Sequence, residues 1–168
     1  MKTNSLSYER AVELFTYDQD SGALKWRFRK GRKVRSDLTA GYIDDEGYRV
    51  VRVDGVNYRS HRIIWLMETG ALPTAMIDHA NGDRSDNRWK NLRQATNAQN
   101  QMNKKARTTG ASGFKGVSII RRRGRIQYRA SVRHNGKTHV SGYYDTAQDA
   151  YEHYRQEAVR VFGEFAKT

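Results

Sequence analysis

Four side chains suited to metal binding and proton transfer follow one another at a defined spacing in the middle of the chain. Asp78 and His79 are adjacent, Asn91 follows the histidine by twelve residues, and Asn100 follows Asn91 by nine. This spacing can bring a carboxylate, an imidazole and an amide to one divalent ion. Hydrolysis of a phosphodiester needs a base for the attacking water and a cation for the leaving oxygen. The pattern therefore indicates cleavage of a nucleic-acid backbone.

The residue types suggest separate roles for these side chains. His79 suits the base, because imidazole titrates near neutral pH. Adjacent strand residues face opposite sides, so Asp78 can bind an ion while His79 points the other way. Asp78 and Asn100 would be an oxygen-only ligand set, which favours Mg²⁺ or Mn²⁺ over zinc. We expect one divalent ion per active site, with water and the scissile phosphate as its remaining ligands.

Other polar residues near this pattern leave alternatives open. We assign Asn81 and Asn87 to turns, which asparagine favours through contacts with its own backbone. Asn97 and Asn103 either face solvent or reach phosphate. His61 begins an apolar segment, and we interpret it as a packed or capping histidine. Five basic residues flank the site, and each is either a DNA contact or simply solvated: Arg88, Lys90, Arg93, Lys104 and Lys105.

The elements that must position these residues are short. The sequence predicts an amphipathic helix over Ser7–Thr16 and a hairpin over Gly47–Arg59 whose turn is Asp54-Gly55. A helix over His61–Glu68 should end at Gly70. Met76–His79 reads as the end of a strand, and we predict a helix from Asn91 to about Lys105.

The last third of the chain has a different pattern. Three strands are predicted at Gly116–Arg121, Gln127–Arg133 and Thr138–Tyr144, followed by a helix over Thr146–Phe162. In the second strand, Tyr128, Ala130 and Val132 alternate with Gln127, Arg129, Ser131 and Arg133. We expect the first set to face the helix and the second to face DNA, where Arg and Gln suit guanine and adenine edges.

Charge points to a polyanionic partner. The net charge is +13, and the stretch from Asn87 to Tyr144 has fourteen Lys and Arg but no Asp or Glu. Such one-sided charge favours nucleic acid, because neutralising phosphates releases counterions, although a merely solvated basic face stays possible. Four arginines at a predicted hairpin tip should meet phosphates: Arg121, Arg122, Arg123 and Arg125. Cysteine is absent, which excludes disulfides and fits a reducing cytoplasm.

The stretch IDHANGDRSDNRWKNLRQATNAQNQMNK, Ile77 to Lys104, resembles the HNH nuclease family, in particular phage HNH and homing endonucleases. The likeness extends back through GYRVVRVDGVNYRSHRIIW. It implies that Asp78 and Asn100 hold the metal and that His79 is the general base. It also implies that Asn91 braces the loop and helps to orient the histidine. This sequence departs from the His-Asn-His pattern that gives the family its name, with Asp78 at the first ligand position and Asn100 at the last. That departure argues against a zinc-preferring site.

The segment from Gly113 to Ala166 is similar to the plant ethylene-response-factor DNA-binding domain. The likeness lies in GFKGV, SGYYDTAQDAY and GEFA. That family lays a three-stranded sheet in the major groove with a helix packed behind it. The tryptophan-rich reading face of the plant domain is absent here, so its target sequence does not carry over.

Together these features predict an α+β protein. A ββα-metal HNH nuclease domain (1–106) would be followed by a linker (107–112) and a DNA-binding domain (113–168) made of a three-stranded antiparallel sheet plus a helix. We expect a magnesium- or manganese-dependent DNA endonuclease that nicks one strand of double-stranded DNA per active site. The chain should be cytoplasmic, without a membrane segment, and either a monomer or a weak dimer. A non-catalytic DNA-binding regulator and a basic RNA-binding protein are the alternatives.

Overall fold

The computed structural model describes residues 5–27, 39–104, 111–122, 124–134 and 136–167, with Arg122 described by its backbone alone. The chain forms two compact units, Met1–Gln94 and Ala95–Thr168. The predicted α+β class is confirmed, since four helices accompany small sheets in the described ranges. The predicted linker lies largely outside these ranges, as do Lys105 and Arg123.

The first unit begins with a short helix and a hairpin. Helix α1 spans Tyr8–Leu14, and the Ser7 side chain caps it by accepting a hydrogen bond from the Arg10 amide. Strands β1 (Phe15–Asp18) and β2 (Ala23–Trp26) then pair antiparallel. The predicted extension of the helix to Thr16 is therefore wrong, because Phe15 already has extended backbone and is fully buried at the start of β1.

The second hairpin of this unit leads into its central helix. Strand β3 (Tyr42–Ile43) pairs with β4 (Arg49–Val53), which pairs with β5 (Val56–Arg59). Asp54 and Gly55 join β4 to β5 with φ values of 48° and 86°, the left-handed conformation that a two-residue primed turn needs. Helix α2 (Ser60–Thr69) follows directly and ends at Gly70, whose φ is 76°. Both features confirm the sequence prediction.

The core of the first unit lies where α1, α2 and the two hairpins meet. Its fully buried aromatic side chain is Phe15, which packs on Trp26 with ring centroids 4.5 Å apart. The other members are aliphatic residues of α1, β2, β4 and α2, together with four from other segments (Leu6, Ala40, Ile77 and Leu92): Ala11, Leu14, Leu24, Val51, Val53, Ile63, Ile64 and Leu66. The strand that carries Asp78 and His79 is anchored to this core through Ile77.

Strands β6 (Met76–His79) and β7 (Leu92–Ala95) form a two-stranded sheet, and a 3₁₀ turn over Trp89–Asn91 precedes β7. The helix predicted from Asn91 is therefore wrong at its start. Leu92 and Ala95 are both buried at a spacing of three, which fits a helix as well as this short strand.

Helix α3 (Asn97–Asn103) belongs to the second unit and begins after Thr96. The Thr96 hydroxyl accepts from the Gln99 amide, while the Gln99 side chain accepts from the Thr96 amide. This capping box fixes the helix start six residues later than predicted. At the other end, Lys115 donates to the carbonyls of Met102 (2.5 Å) and Lys104 (2.8 Å), which ties α3 to the GFKGV segment of the same unit.

The second unit also contains a three-stranded antiparallel sheet with a helix against it. Strands β8 (Val117–Arg122), β9 (Arg125–His134) and β10 (Lys137–Tyr144) lie in the order β10-β9-β8, and α4 spans Ala147–Phe162. The Thr146 side chain caps α4, and Gly163–Phe165 is a 3₁₀ turn.

The core of the second unit separates the two faces of its sheet. Ala130 and Val132 of β9 pack against Ala150, Tyr154 and Ala158 of α4, and all five are buried. Their alternation leaves the neighbouring residues of β9 on the outer face, as the sequence predicts. None of the helices in the described ranges is long and apolar enough to span a bilayer.

Candidate functional site

β6 places the two central side chains of the predicted site next to each other. Asp78 and His79 end this strand, and each is only 4% exposed. Successive side chains of a strand leave on opposite faces, so the carboxylate and the imidazole begin on different sides of β6. Residues 80–91 form a loop that returns to β7, with the Ala80 amide donating to the Asn91 carbonyl at 2.9 Å. The site is therefore a strand end closed by a braced loop.

The imidazole of His79 contacts an asparagine that the sequence analysis assigned to a turn. His79 Nε2 lies 3.0 Å from Asn87 Oδ1, and Asn87 is 2% exposed. An amide oxygen only accepts hydrogen bonds, so in this contact Nε2 carries the proton and donates it. In the neutral ring, Nδ1 is then the basic nitrogen. Asn87 thus selects the tautomer of His79.

Burial also keeps His79 neutral. It lowers the pKa of His79 below the ordinary value of 6.5, because a charged imidazole loses hydration there. The contact with Asn87 and the carboxylates of Asp78, Asp83 and Asp86 raise that pKa and oppose the shift, but burial is the larger effect. A buried neutral imidazole at pH 7 can accept a proton from a water molecule.

Two aromatic rings pack around His79. His61, the second residue of α2, meets it edge to face with ring centroids 5.1 Å apart and planes at 86°. Tyr48, which precedes β4, lies 6.0 Å from His79 and 5.4 Å from His61. Burial lowers the pKa of His61 to about 3, and the charges of two arginines and of His79 in its protonated form add to this effect. His61 is packed, as predicted, and it is packed against the candidate base.

Asn91 holds the loop through three hydrogen bonds. Its Oδ1 accepts from the backbone amide of Asn81 at 2.9 Å, and its Nδ2 donates to the backbone carbonyl of Asp86 at 2.7 Å. Its own carbonyl accepts from Ala80. These bonds join both ends of the loop that presents Asn87 to His79. The contacts agree with a bracing role for Asn91, and a direct catalytic role for it stays a prediction.

Two arginines that were predicted to contact DNA are paired with carboxylates. Arg93 Nε lies 3.0 Å from Asp78 Oδ2, and in this pair Asp78 is buried while Arg93 is partly buried. Arg88 Nε donates to Asp86 Oδ1 at 2.8 Å. The hydrogen bond from Arg88 lowers the pKa of Asp86 to about 2. Part of the charge of each arginine is therefore neutralised within the protein.

The second predicted metal ligand lies on α3 in the second unit. Asn100 lies in the middle of this helix, where its backbone amide donates to the Thr96 carbonyl at 3.0 Å. Lys104, a predicted DNA contact, is exposed immediately after the helix. In the described part of the chain, no cluster of three or more His, Cys, Asp or Glu could hold a metal. The proposed ligand set rests on Asp78 and Asn100 and stays a prediction.

The remaining predicted DNA contacts lie on or near the sheet of the second unit. Arg129 and Gln127 alternate with the buried residues of β9 and are partly exposed, and Arg133 is exposed on the same strand. Arg121 and Arg125 are exposed at the β8–β9 turn. Across the strands, Arg129 stands opposite Ser118 on one side and Tyr143 on the other. Tyr143 is 55% exposed.

Sequence reasoning missed the contacts of Asn87, His61 and Tyr48 with His79. Asn87 lies eight residues from His79, and no short spacing rule joins two residues across an irregular loop. His61 and Tyr48 come from separate elements, so only the fold brings their rings together. The sequence offered one signal for these contacts, the run of polar residues over 81–87. A turn alone does not require so many polar side chains.

Comparison with known proteins supports the nuclease interpretation. Residues 58–102 match the family model described as HNH endonuclease, a range that contains Asp78, His79, Asn91 and Asn100. A protein of Acanthamoeba polyphaga mimivirus, named as an uncharacterized HNH endonuclease, is 35% identical over 127 residues. The alignment covers 74% of this chain and 64% of the viral protein.

These matches confirm the predicted resemblance to HNH endonucleases and support the prediction of a nuclease. The chain spans slightly less than two thirds of the length of its viral relative. The family match ends before the three-stranded sheet, so the likeness to the ethylene-response-factor domain stays a prediction. No solved structure matches the chain significantly.

Proposed function

We propose that this chain is an HNH-type endonuclease that hydrolyses phosphodiester bonds of double-stranded DNA and nicks one strand per active site. The observation that carries the proposal is the arrangement around His79. A buried neutral imidazole, fixed through Nε2 by Asn87, adjoins the Asp78 carboxylate within the segment that matches the HNH family. This arrangement suits a general base better than a structural histidine, because its tautomer is set by a dedicated amide.

In the proposed reaction, His79 Nδ1 accepts a proton from a water molecule. The water oxygen forms a bond to phosphorus as the bond from phosphorus to the 3′ oxygen breaks. The leaving oxygen takes a proton from solvent, which gives 5′-phosphate and 3′-hydroxyl ends. Asn87 holds Nε2 throughout, so the imidazolium that forms keeps a hydrogen-bond acceptor.

HNH nucleases in general depend on a divalent metal ion, and the donors here fit a hard ion held by few protein ligands. We propose that Asp78 and Asn100 hold Mg²⁺ or Mn²⁺, since carboxylate and amide oxygens suit such ions. The bound ion would stabilise negative charge on the phosphate and the leaving oxygen. The pairing of Arg93 with Asp78 reduces the negative charge at this ligand. We therefore expect weak ion binding until DNA phosphate joins the site.

We further propose that the outer face of the β8–β9–β10 sheet binds duplex DNA. Its support is the charge distribution, because no acidic residue occurs between Asn87 and Tyr144. Arg129 and Gln127 present donors and acceptors that suit base edges, and Arg133 suits bases or phosphates. A phage-type or homing origin and a cytoplasmic location remain proposals from the sequence resemblance. The oligomeric state, monomer or weak dimer, is left open.

A plasmid-nicking assay tests the proposed function. Supercoiled DNA incubated with the purified chain and Mg²⁺ or Mn²⁺ should become open-circular, and a chelator should stop the reaction. End analysis should find 5′-phosphate and 3′-hydroxyl groups. Tight DNA binding without nicking under any divalent ion would instead support the DNA-binding regulator. Preference for structured RNA over duplex DNA would favour the RNA-binding alternative.

A further inference from the structure

Two arginines from separate elements converge on the Tyr48 ring beside His79. Arg59 ends β5, and its Cζ lies 3.9 Å from the centroid of the Tyr48 ring. Arg84 lies in the loop after β6, with its Cζ 4.8 Å from the same centroid. The Tyr48 ring is 6.0 Å from that of His79. Two like charges that repel each other are thus held next to the candidate base.

Glu46 fixes both guanidinium groups. Its carboxylate pairs with Arg59 Nη2 at 2.8 Å, and its backbone carbonyl accepts from Arg84 Nη1 at 2.7 Å. Only one of the two positive charges therefore has a carboxylate partner here. An arginine has five N–H donors, and these are the only hydrogen bonds of either side chain in the described part of the chain. Both arginines retain donors for a ligand.

Two other arginines near the candidate site have different partners. Arg93 and Arg88 pair with the carboxylates of Asp78 and Asp86. Arg59 also pairs with the Glu46 carboxylate, but both Arg59 and Arg84 stack on the Tyr48 ring, and this stacking orients a guanidinium without neutralising its charge. A planar guanidinium oriented in this way can bind two phosphate oxygens at once. An excess positive charge with oriented donors is a site for an anion.

We propose that Arg59 and Arg84, stacked on Tyr48, form a phosphate clamp that binds the DNA backbone next to the scissile bond. The inference rests on the proposed nuclease function and adds substrate-binding residues to it. Tyr48 and Glu46 are positioning residues in this clamp. Because stacking orders the guanidiniums before DNA arrives, little side-chain entropy is lost on binding. The clamp places the strand over His79 rather than contributing a proton.

Steady-state nicking of the full chain tests the clamp through Arg59→Gln and Arg84→Gln. Each change should lower kcat/KM by about tenfold or more, mainly through KM, because a charged hydrogen bond to phosphate is lost. Arg84→Lys should recover part of the loss. The matched control is Arg52→Gln, an exposed arginine of β4 that donates to the Gly55 carbonyl and leaves the clamp intact. It should retain the kcat and KM of the unchanged chain.

Binding measured without catalysis separates the clamp from the proposed function. In a His79→Ala background with chelator, Arg59→Gln and Arg84→Gln should each reduce the slope of log Kobs against log salt by about 1. Thermal unfolding should be nearly unchanged, since the Arg59–Glu46 pair is exposed. Failure of the unchanged chain to nick DNA would overturn the proposed function. The salt slopes of the two arginine variants would still show whether the clamp binds phosphate. Unchanged slopes would overturn the clamp, even in an active nuclease.

Discussion

The single contact between Asn87 and His79 decides which imidazole nitrogen is basic. Asn87→Ala should lower kcat by about 10- to 100-fold with little change in KM, because the buried Nε2 proton loses its acceptor. Single-turnover nicking rates under saturating protein measure the effect. Asn57→Ala, at an exposed position of β5, is the matched control and should keep its rate. Equal rates for both variants would remove Asn87 from the mechanism.

His61 predicts how stability depends on pH. Its pKa is about 3 in the folded chain against an ordinary 6.5, so the unfolded chain binds a proton more readily. The contribution of His61 to the free energy of unfolding is therefore fully present above about pH 6.5, and it is lost progressively as the pH falls towards 3. Below pH 6.5 the free energy of unfolding should drop by up to about 1.4 kcal/mol per pH unit for this proton.

Denaturant unfolding between pH 7.5 and pH 4 checks this expectation against His61→Phe, which keeps a ring but cannot titrate. The fall in the free energy of unfolding per pH unit should be smaller in the variant. His79 has a pKa shifted in the same direction, so it contributes a remaining slope of the same sign in both proteins. Identical slopes would show that His61 does not remain neutral in the folded chain.

At the scale of single residues, sequence indicated the family resemblance better than the contacts of the residues that carry it. The spacing of Asp78, His79, Asn91 and Asn100 pointed to the HNH family, whose model matches this segment. The partners of His79 depend on loop geometry and on α2, and neither leaves a periodic signal. Arg59 and Arg84 were overlooked because a basic residue in sequence looks the same whether it is solvated or stacked.

At the scale of elements, the GFKGV segment shows why a particular glycine is needed. A Cβ on Gly116 would lie 2.0 Å from Cδ2 of Tyr154, a buried ring of α4, and Gly116 has a φ of +73°. Gly113 has the same φ, but a Cβ there would meet nothing within 4 Å. The two positions therefore share backbone strain and differ only in the clash.

Gly116→Ala should consequently destabilise the second unit by about 1–3 kcal/mol more than Gly113→Ala, since a close-packed ring must move. Denaturant unfolding of the two variants measures the difference. Equal losses would mean that the strain of positive φ, and not the approach of Tyr154, explains the glycine.

Elements with strong local signals were predicted well. The Asp54-Gly55 turn, the Gly70 helix end and the strands of the second unit all appear where turn residues and alternation place them. The predicted start of α3 at Asn91 was wrong, because buried Leu92 and Ala95 are three residues apart and fit a helix as well as the short strand that they form. The capping pattern at Thr96 and Gln99 was present in the sequence and marks the true start of α3.

At the scale of the whole molecule, the net charge of +13 should make DNA binding strongly dependent on salt. Arg129→Gln with Arg133→Gln should reduce the salt slope by about 2, because both arginines belong to the proposed DNA-binding face. The control pair, Arg155→Gln with Arg160→Gln, makes the same change in charge on α4, where each arginine pairs with a glutamate. Fluorescence anisotropy across a salt series measures both slopes, and equal reductions would rule out a dedicated face.

Composition favours a polyanionic partner at this scale, because the lack of acidic residues between Asn87 and Tyr144 can be read from the sequence without the fold. The division into units was less accessible. The chain divides into compact units at residues 94 and 95, and α3 packs with the second. The linker predicted at 107–112 lies largely outside the described residues and stays a prediction. Ala98 and Met102 pack on the second unit's core, a tertiary preference that α3's own sequence does not reveal.

The central claim is that His79 removes the proton from the attacking water. The most direct test is the single-turnover nicking rate of His79→Ala at saturating protein and Mg²⁺, with DNA occupancy checked by anisotropy. His153→Ala, an exposed histidine of α4, is the control. We predict that His79→Ala binds DNA like the unchanged chain but nicks it at least about a thousandfold more slowly, while His153→Ala nicks normally. A His79→Ala chain that nicks at the unchanged rate would contradict the account.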